Sequence, residues 1–413
     1  MIRGGKLSSV EFSALSFDDK LTHLRTLPAT RRLELIIDDP EGRRLTRGFS
    51  PQEYYLMVKE IGESDAAQLL VNGSAEQIAF ALDFDLWAKW EFNNEKAITW
   101  FEHLLSAGEA DAMEILSRLD PELLQLVLHE EIEVGGGGSD GLATDSERLG
   151  EWDHTFDSNY YITFLNDKHA RLIGTLLDII FRNDHKLYLD LMEGLRASIK
   201  SEIEDFCYQF RCGRLADLGF PSYEQAVEIY SPLSQDSFAA GDEKIQIENE
   251  EGIVVIAGMP ADDESFLSRV LSRVMTESLR QELGGLLNSA MVAESGGGIE
   301  EEAARAAHKR VYGWLNLALE HLSGSDETVA STLIMKQPLK RLFQLAFGML
   351  HDISLKARRL NSDVYATGKA LRGFRAQRPL FYRGLDPDHV DGYREFGSMT
   401  DVRTAREFLD MLQ

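Results

Sequence analysis

The chain has 413 residues, 44% of them apolar, and 43 Lys and Arg against 69 Asp and Glu give it a formal net charge of −26. That length supports two or three packing units with real cores and excludes a disulfide-stapled miniprotein. The acidic, apolar-rich balance argues against a disordered chain and against a nucleic-acid binder.

In chain order, the first fifteen residues lack the unbroken apolar stretch of an export signal, and no later run approaches the roughly 20 apolar residues that span a bilayer. No membrane insertion is expected. From 17 to 134 the apolar residues recur at helical spacing between short polar joints, which predicts a run of short helices. Ser50-Pro51-Gln52-Glu53 is a helix start, with a capping serine, a proline at the first helical position and a glutamate three residues after the cap. Asp120-Pro121-Glu122 repeats the cap-then-proline device.

An internal echo at an offset of 46 aligns Glu63-Ser64-Asp65-Ala66 with Glu109-Ala110-Asp111-Ala112, and the register holds downstream, with Ile78 on Leu124 and Leu82 on Leu128. Small and apolar positions matched at a fixed offset suggest stacked helical hairpins, since one such unit cannot bury its apolar face alone. This acidic pattern, followed by paired aliphatics and a capped Pro-Glu-Leu-Leu helix, resembles the helical superhelix of the MgtE magnesium-transporter N-terminal domain, and FliG motor-switch proteins carry related repeats. The likeness covers roughly 19–133 and implies the superhelix only, because no transporter membrane domain follows and no carboxylate aligns as a ligand. The segment Arg214-Leu215-Ala216-Asp217-Leu218-Gly219-Phe220-Pro221 is more distinctive, and the whole chain is similar to an uncharacterised family of bacterial proteins.

Gly135-Gly136-Gly137-Gly138-Ser139 opens a polar stretch, so 135–152 is expected to be a loop or linker between a repeat-like domain, 1–134, and a second helical domain, 153–413. Cys207 and Cys212, the two cysteines, lie about 8–9 Å apart if their segment is helical, too far for a disulfide, which fits free thiols in a reducing cytoplasm. Alternation and a turn over 244–257 predict the one β-hairpin. The fold class expected is therefore mainly α: stacked short helices with one small β-hairpin.

Motif by motif, the chemistry is sparse. His129-Glu130-Glu131-Ile132-Glu133 lacks the second histidine of a zinc-protease helix, and Gly137-Gly138-Ser139-Asp140-Gly141 lacks the strand and helix that a nucleophile elbow needs. No phosphate loop or dinucleotide fingerprint occurs, so no catalytic residue, metal or cofactor is assigned. Charge is more informative: over 336–383 eleven Lys and Arg face only Asp352 and Asp363. The segment is expected to fold back on the acidic repeat half, or else to bind an acidic protein or small anion, with RNA or DNA contact through Phe374, Phe381 and Tyr382 third; Arg372, Arg375, Arg378, Arg383 and His389 are the candidate binding residues. These features point to a cytoplasmic interaction or scaffold protein with a protein partner. The alternative is a regulatory protein that binds a small ligand or a divalent cation, with an enzyme third.

Overall fold

The computed structural model describes residues 9–62, 66–137, 151–239, 244, 265–295 and 301–412. Those residues are mainly α-helical, as the periodicity predicts, with three two-stranded antiparallel sheets. The hairpin expected over 244–257 lies outside the described residues apart from Lys244, and each strand pair seen is elsewhere. The chain divides into two compact units, Met1–Leu215 with Gly297–Glu301, and Ala216–Gly296 with Glu302–Gln413.

The first unit runs α1 (Ser9–Ser13), α2 (Phe17–Arg25), α3 (Ala29–Asp38), α4 (Gly42–Arg47), α5 (Pro51–Ile61), α6 (Ala67–Asn72), α7 (Ala75–Asp85), β1 (Trp87–Ala88), β2 (Glu91–Phe92), α8 (Asn94–Ser106), α9 (Glu109–Leu116), α10 (Pro121–Glu131), β3 (Ile132–Gly136), β4 (Tyr160–Phe164), α11 (Ala170–Asn183), α12 (His185–Ala197) and most of α13 (Lys200–Asp217). Ser50 and Ser74 each close a capping box, with Glu53 and Gln77 returning the bond to the cap N–H. Asp120 leads α10 without a side-chain cap bond. Its carboxylate instead takes Arg214 of α13, which also grips Asp83 at 2.7 Å. The echo has a structural counterpart: α7 and α10 are both eleven-residue helices and begin and end 46 residues apart. Arg214 therefore ties the end of one copy to the start of the other.

The glycine-rich stretch expected to be a linker begins as a strand inside this unit. Ile132 pairs with Phe164 and Gly136 with Tyr160. Glycine is needed there because a Cβ on Gly135 would stand 2.2 Å from the Trp152 ring, and Gly136 has φ of 78°.

The second unit holds α14 (Tyr223–Val227), α15 (Gln235–Ala239), α16 (Phe266–Val274), α17 (Glu277–Ser295), most of α18 (Glu301–Ser323), α19 (Glu327–Lys336), α20 (Leu339–Arg358), α21 (Tyr365–Arg375), β5 (Phe381–Tyr382), β6 (Tyr393–Arg394) and α22 (Met399–Asp410). The apolar stripe Leu339, Leu342, Phe343, Ala346 and Phe347 is buried, as the 3.6-residue spacing predicts. Trp314 of α18 meets Phe343 and Phe347 with ring centroids 4.8 and 5.5 Å apart. Beside this core Arg310 is buried and paired with Glu294 and with Glu395 at 2.6 Å, while the Tyr230 hydroxyl donates to Glu294 at 2.8 Å. Charges taken out of water at this cost persist because each has its partner.

Candidate binding face

The cations of 336–383 are mostly answered within the second unit itself. Lys340 pairs with Glu228 at 2.9 Å, Lys356 with Asp410 at 3.3 Å, Lys369 with Asp391, and Arg383 with Asp388 at 3.5 Å. Arg375 turns onto the end of α20, donating to the carbonyls of Ala357, at 3.0 Å, and Leu360. Arg358 and Arg359 stand at the same helix end, and the partial negative charge concentrated on the carbonyls of its last turn offsets the repulsion among the three arginines. Arg378 donates to the Ala293 carbonyl at 2.8 Å and lies over the Tyr230 ring, 4.5 Å from its centroid. Arg372 is exposed, and its side chain makes no ion pair or hydrogen bond among the described residues.

Arg372 sits on a built surface. α21 carries Lys369, Arg372 and Arg375 and no acidic residue. Tyr365, Lys369 and Arg372 follow one another at i, i+4 and i+7, so they share a face of the helix. Tyr365 is 75% exposed and Val364 63%. The Lys369 ammonium lies 4.6 Å from the Tyr365 ring centroid, and the Asp391 carboxylate holds Lys369 above the ordinary lysine range while Lys369 holds Asp391 below the ordinary carboxylate range. The β5–β6 pair completes the face. Tyr393 packs across Gly373, where a Cβ would come within 2.8 Å of its ring, and its hydroxyl donates to the Lys369 carbonyl at 3.1 Å. Tyr382 donates to Asp391 at 3.2 Å.

His389 lies on the β5–β6 connection with φ of 49° and with Nδ1 3.0 Å from the Gly384 carbonyl. A carbonyl only accepts, so Nδ1 carries the hydrogen and Nε2 is left toward solvent. Of the four arginines and one histidine singled out in the sequence, Arg372, Arg383 and His389 border this surface, whereas Arg375 and Arg378 point to backbone carbonyls. Sequence reading missed Tyr365 and Tyr393. The i, i+4, i+7 spacing held the signal for Tyr365; Tyr393 had none, because its place depends on a strand pair two residues long.

Elsewhere the chemistry is quiet. Burial, then the nearby Glu122 and Asp120 carboxylates, push the Cys207 thiol up to about 12, the opposite of an activated nucleophile. His129 has Nε2 3.4 Å from the Ser198 hydroxyl, but that hydroxyl donates to the Gly194 carbonyl, and burial with the Lys200 charge holds His129 below the usual imidazole range. Ser139 lies outside the described residues. Among the described residues no three His, Cys, Asp or Glu side chains are grouped to hold a metal ion, and no helix is long and apolar enough to cross a membrane.

No curated protein and no solved structure matches the chain, so neither comparison returns a magnesium-transporter domain or a motor-switch protein. A family model does match, over residues 9–413. The chain belongs to the family of unknown function DUF6178.

Proposed function

We propose that this chain is a non-catalytic interaction protein of the cytoplasm and that the face built by α21 and the β5–β6 pair takes an acidic, partly apolar segment of a partner protein. The observation that carries this reading is Arg372, exposed and unpaired among the described residues, on the same helix face as exposed Tyr365. Tyr and Arg are the residues that most often anchor protein interfaces, since each brings large contact area with a polar end. Val364 and Val390, both exposed, supply apolar contact beside them.

The net charge of −26 sharpens the test. Non-specific attraction would select a basic peptide, so preference for an acidic one reports the local face. Titration of the full chain with a fluorescent peptide of alternating Glu and Leu, beside its Lys-Leu counterpart, should give saturable binding of the first. Preference for the Lys-Leu peptide would overturn the reading.

A further inference from the structure

Two adjoining cavities open in the second unit, away from the α21 face. The first, of about 310 Å³, is bounded by the 232–235 loop and by His321, His351, Asp352 and Arg406. The second, of about 370 Å³, is bounded by Asp352, Lys356, Arg359 and Arg406. Arg406 of α22 and Asp352 of α20 are walls of both. Each volume lies at the low end of the range for small-ligand sites, roughly 300–1,000 Å³, and together they suit one small molecule.

The loop is held there by design of the backbone. The Leu233 N–H donates to the Gln344 carbonyl at 3.1 Å, and a Cβ on Gly348 would stand 2.2 Å from the Leu233 carbonyl oxygen. Only glycine lets α20 and the loop close to this distance without a shift.

Charge distinguishes the two halves. In the second cavity Lys356 is answered by Asp410 at 3.3 Å. The guanidinium groups of Arg359 and Arg406 make no ion pair or hydrogen bond among the described residues, and neither does the Asp352 carboxylate. Two guanidinium groups around one small space repel, and although the Asp352 carboxylate shares their wall and the end of α20 adds about half a negative charge, neither arginine is paired to a carboxylate among the described residues. A carboxylate would neutralise one. A phosphomonoester, with a charge of roughly −1.5 to −2 and three acceptor oxygens, answers both and matches the planar fork of arginine.

The first cavity has a different lining: the Ser234 hydroxyl, the Gln235 amide and the imidazoles of His321 and His351. Burial, then the Arg406 charge, hold His321 below the usual imidazole range, so it offers one donor and one acceptor at neutral pH. Asp352 between the halves is acceptor-only and suits a hydroxyl.

We propose that the two cavities are one site for the phosphomonoester of a small polyhydroxylated molecule, with the phosphate on Arg359 and Arg406 and the hydroxyl groups toward Asp352, His321 and His351. The site shares no residue with the proposed partner face, so either stands without the other.

Calorimetric titration of the full chain with glucose 6-phosphate, fructose 6-phosphate and ribose 5-phosphate tests it, beside inorganic phosphate, glucose and a phosphoserine tripeptide. At least one sugar phosphate should bind at least tenfold more tightly than inorganic phosphate and than the tripeptide, with no heat from glucose. Arg406→Gln and Arg359→Gln should each weaken that binding tenfold or more, and Asp352→Asn should weaken the sugar phosphate while sparing inorganic phosphate. Arg359 is exposed, so its variant keeps the test decisive if the Arg406 variant fails to fold. Absence of heat from all phosphates, equal affinity for inorganic phosphate, tighter binding of the tripeptide, or unchanged binding by the arginine variants would overturn the proposal.

Discussion

Tyr365 and Arg372 stand two turns apart on one face of α21, both exposed, with Lys369 between them reaching back over the tyrosine ring. Lys369 is neutralised by Asp391, so the free charge of this face is at Arg372. Exposed positions of this kind contribute little to folding. Tyr365→Ala and Arg372→Ala are each expected to change stability by less than about 0.5 kcal/mol in denaturant titration, while either weakens the acidic peptide.

Arg310 is the opposite case. Its guanidinium is buried between two buried carboxylates, Glu294 and Glu395, and burial already raises Glu395 above the ordinary carboxylate range despite the arginine. Arg310→Ala leaves Glu395 without its ion-pair partner and Glu294 with only the Tyr230 hydroxyl and Arg378, at 4.0 Å, and should cost about 3–5 kcal/mol in urea unfolding. Glu395→Gln in the Arg310→Met background should recover part of that loss. Additive losses would mean the pairing carries no coupling.

The first unit carries a pH-dependent pair. Burial alone would raise Asp39, but hydrogen bonds from Lys20, the Glu41 N–H and Ser13 overcome it and leave the carboxyl below its ordinary range. A lowered folded-state pKa stabilises above the unfolded value, about 3.9, and that stability is lost as pH falls toward the folded value. Asp39→Asn should therefore destabilise at pH 7 and flatten the acid limb of the stability profile below about pH 4. A profile parallel to that of the unaltered chain would contradict this.

Gly348→Ala places a methyl group where the Leu233 carbonyl lies. The loop must move or the helix must shift, with an expected cost of about 1–3 kcal/mol in thermal unfolding. Gly368→Ala, on the open side of α21 with no heavy atom closer than 3.8 Å, should cost nothing and serves as the control.

What the sequence made legible was local. The Ser50 capping box and the α20 stripe depend on residues within a few turns, and the structure has both. Asp120 followed by proline correctly marked a helix start, yet the role of its side chain was hidden, because its partner Arg214 is 94 residues away. The β3–β4 pair was missed for a related reason: three of its positions are glycine or exposed glutamate, so no alternation of apolar residues announces it. Charge counting found the basic segment but not its division of labour. Whether an arginine caps a helix, as Arg375 does, or stays free, as Arg372 does, is decided by packing.

The most direct test of the interaction reading is a charge swap at one position. Arg372→Glu should weaken the Glu-Leu peptide roughly fivefold, about 1 kcal/mol, and strengthen the Lys-Leu peptide by a similar factor, with the melting temperature unchanged. Equal affinities for both peptides before and after the substitution would contradict a partner-binding role for this face.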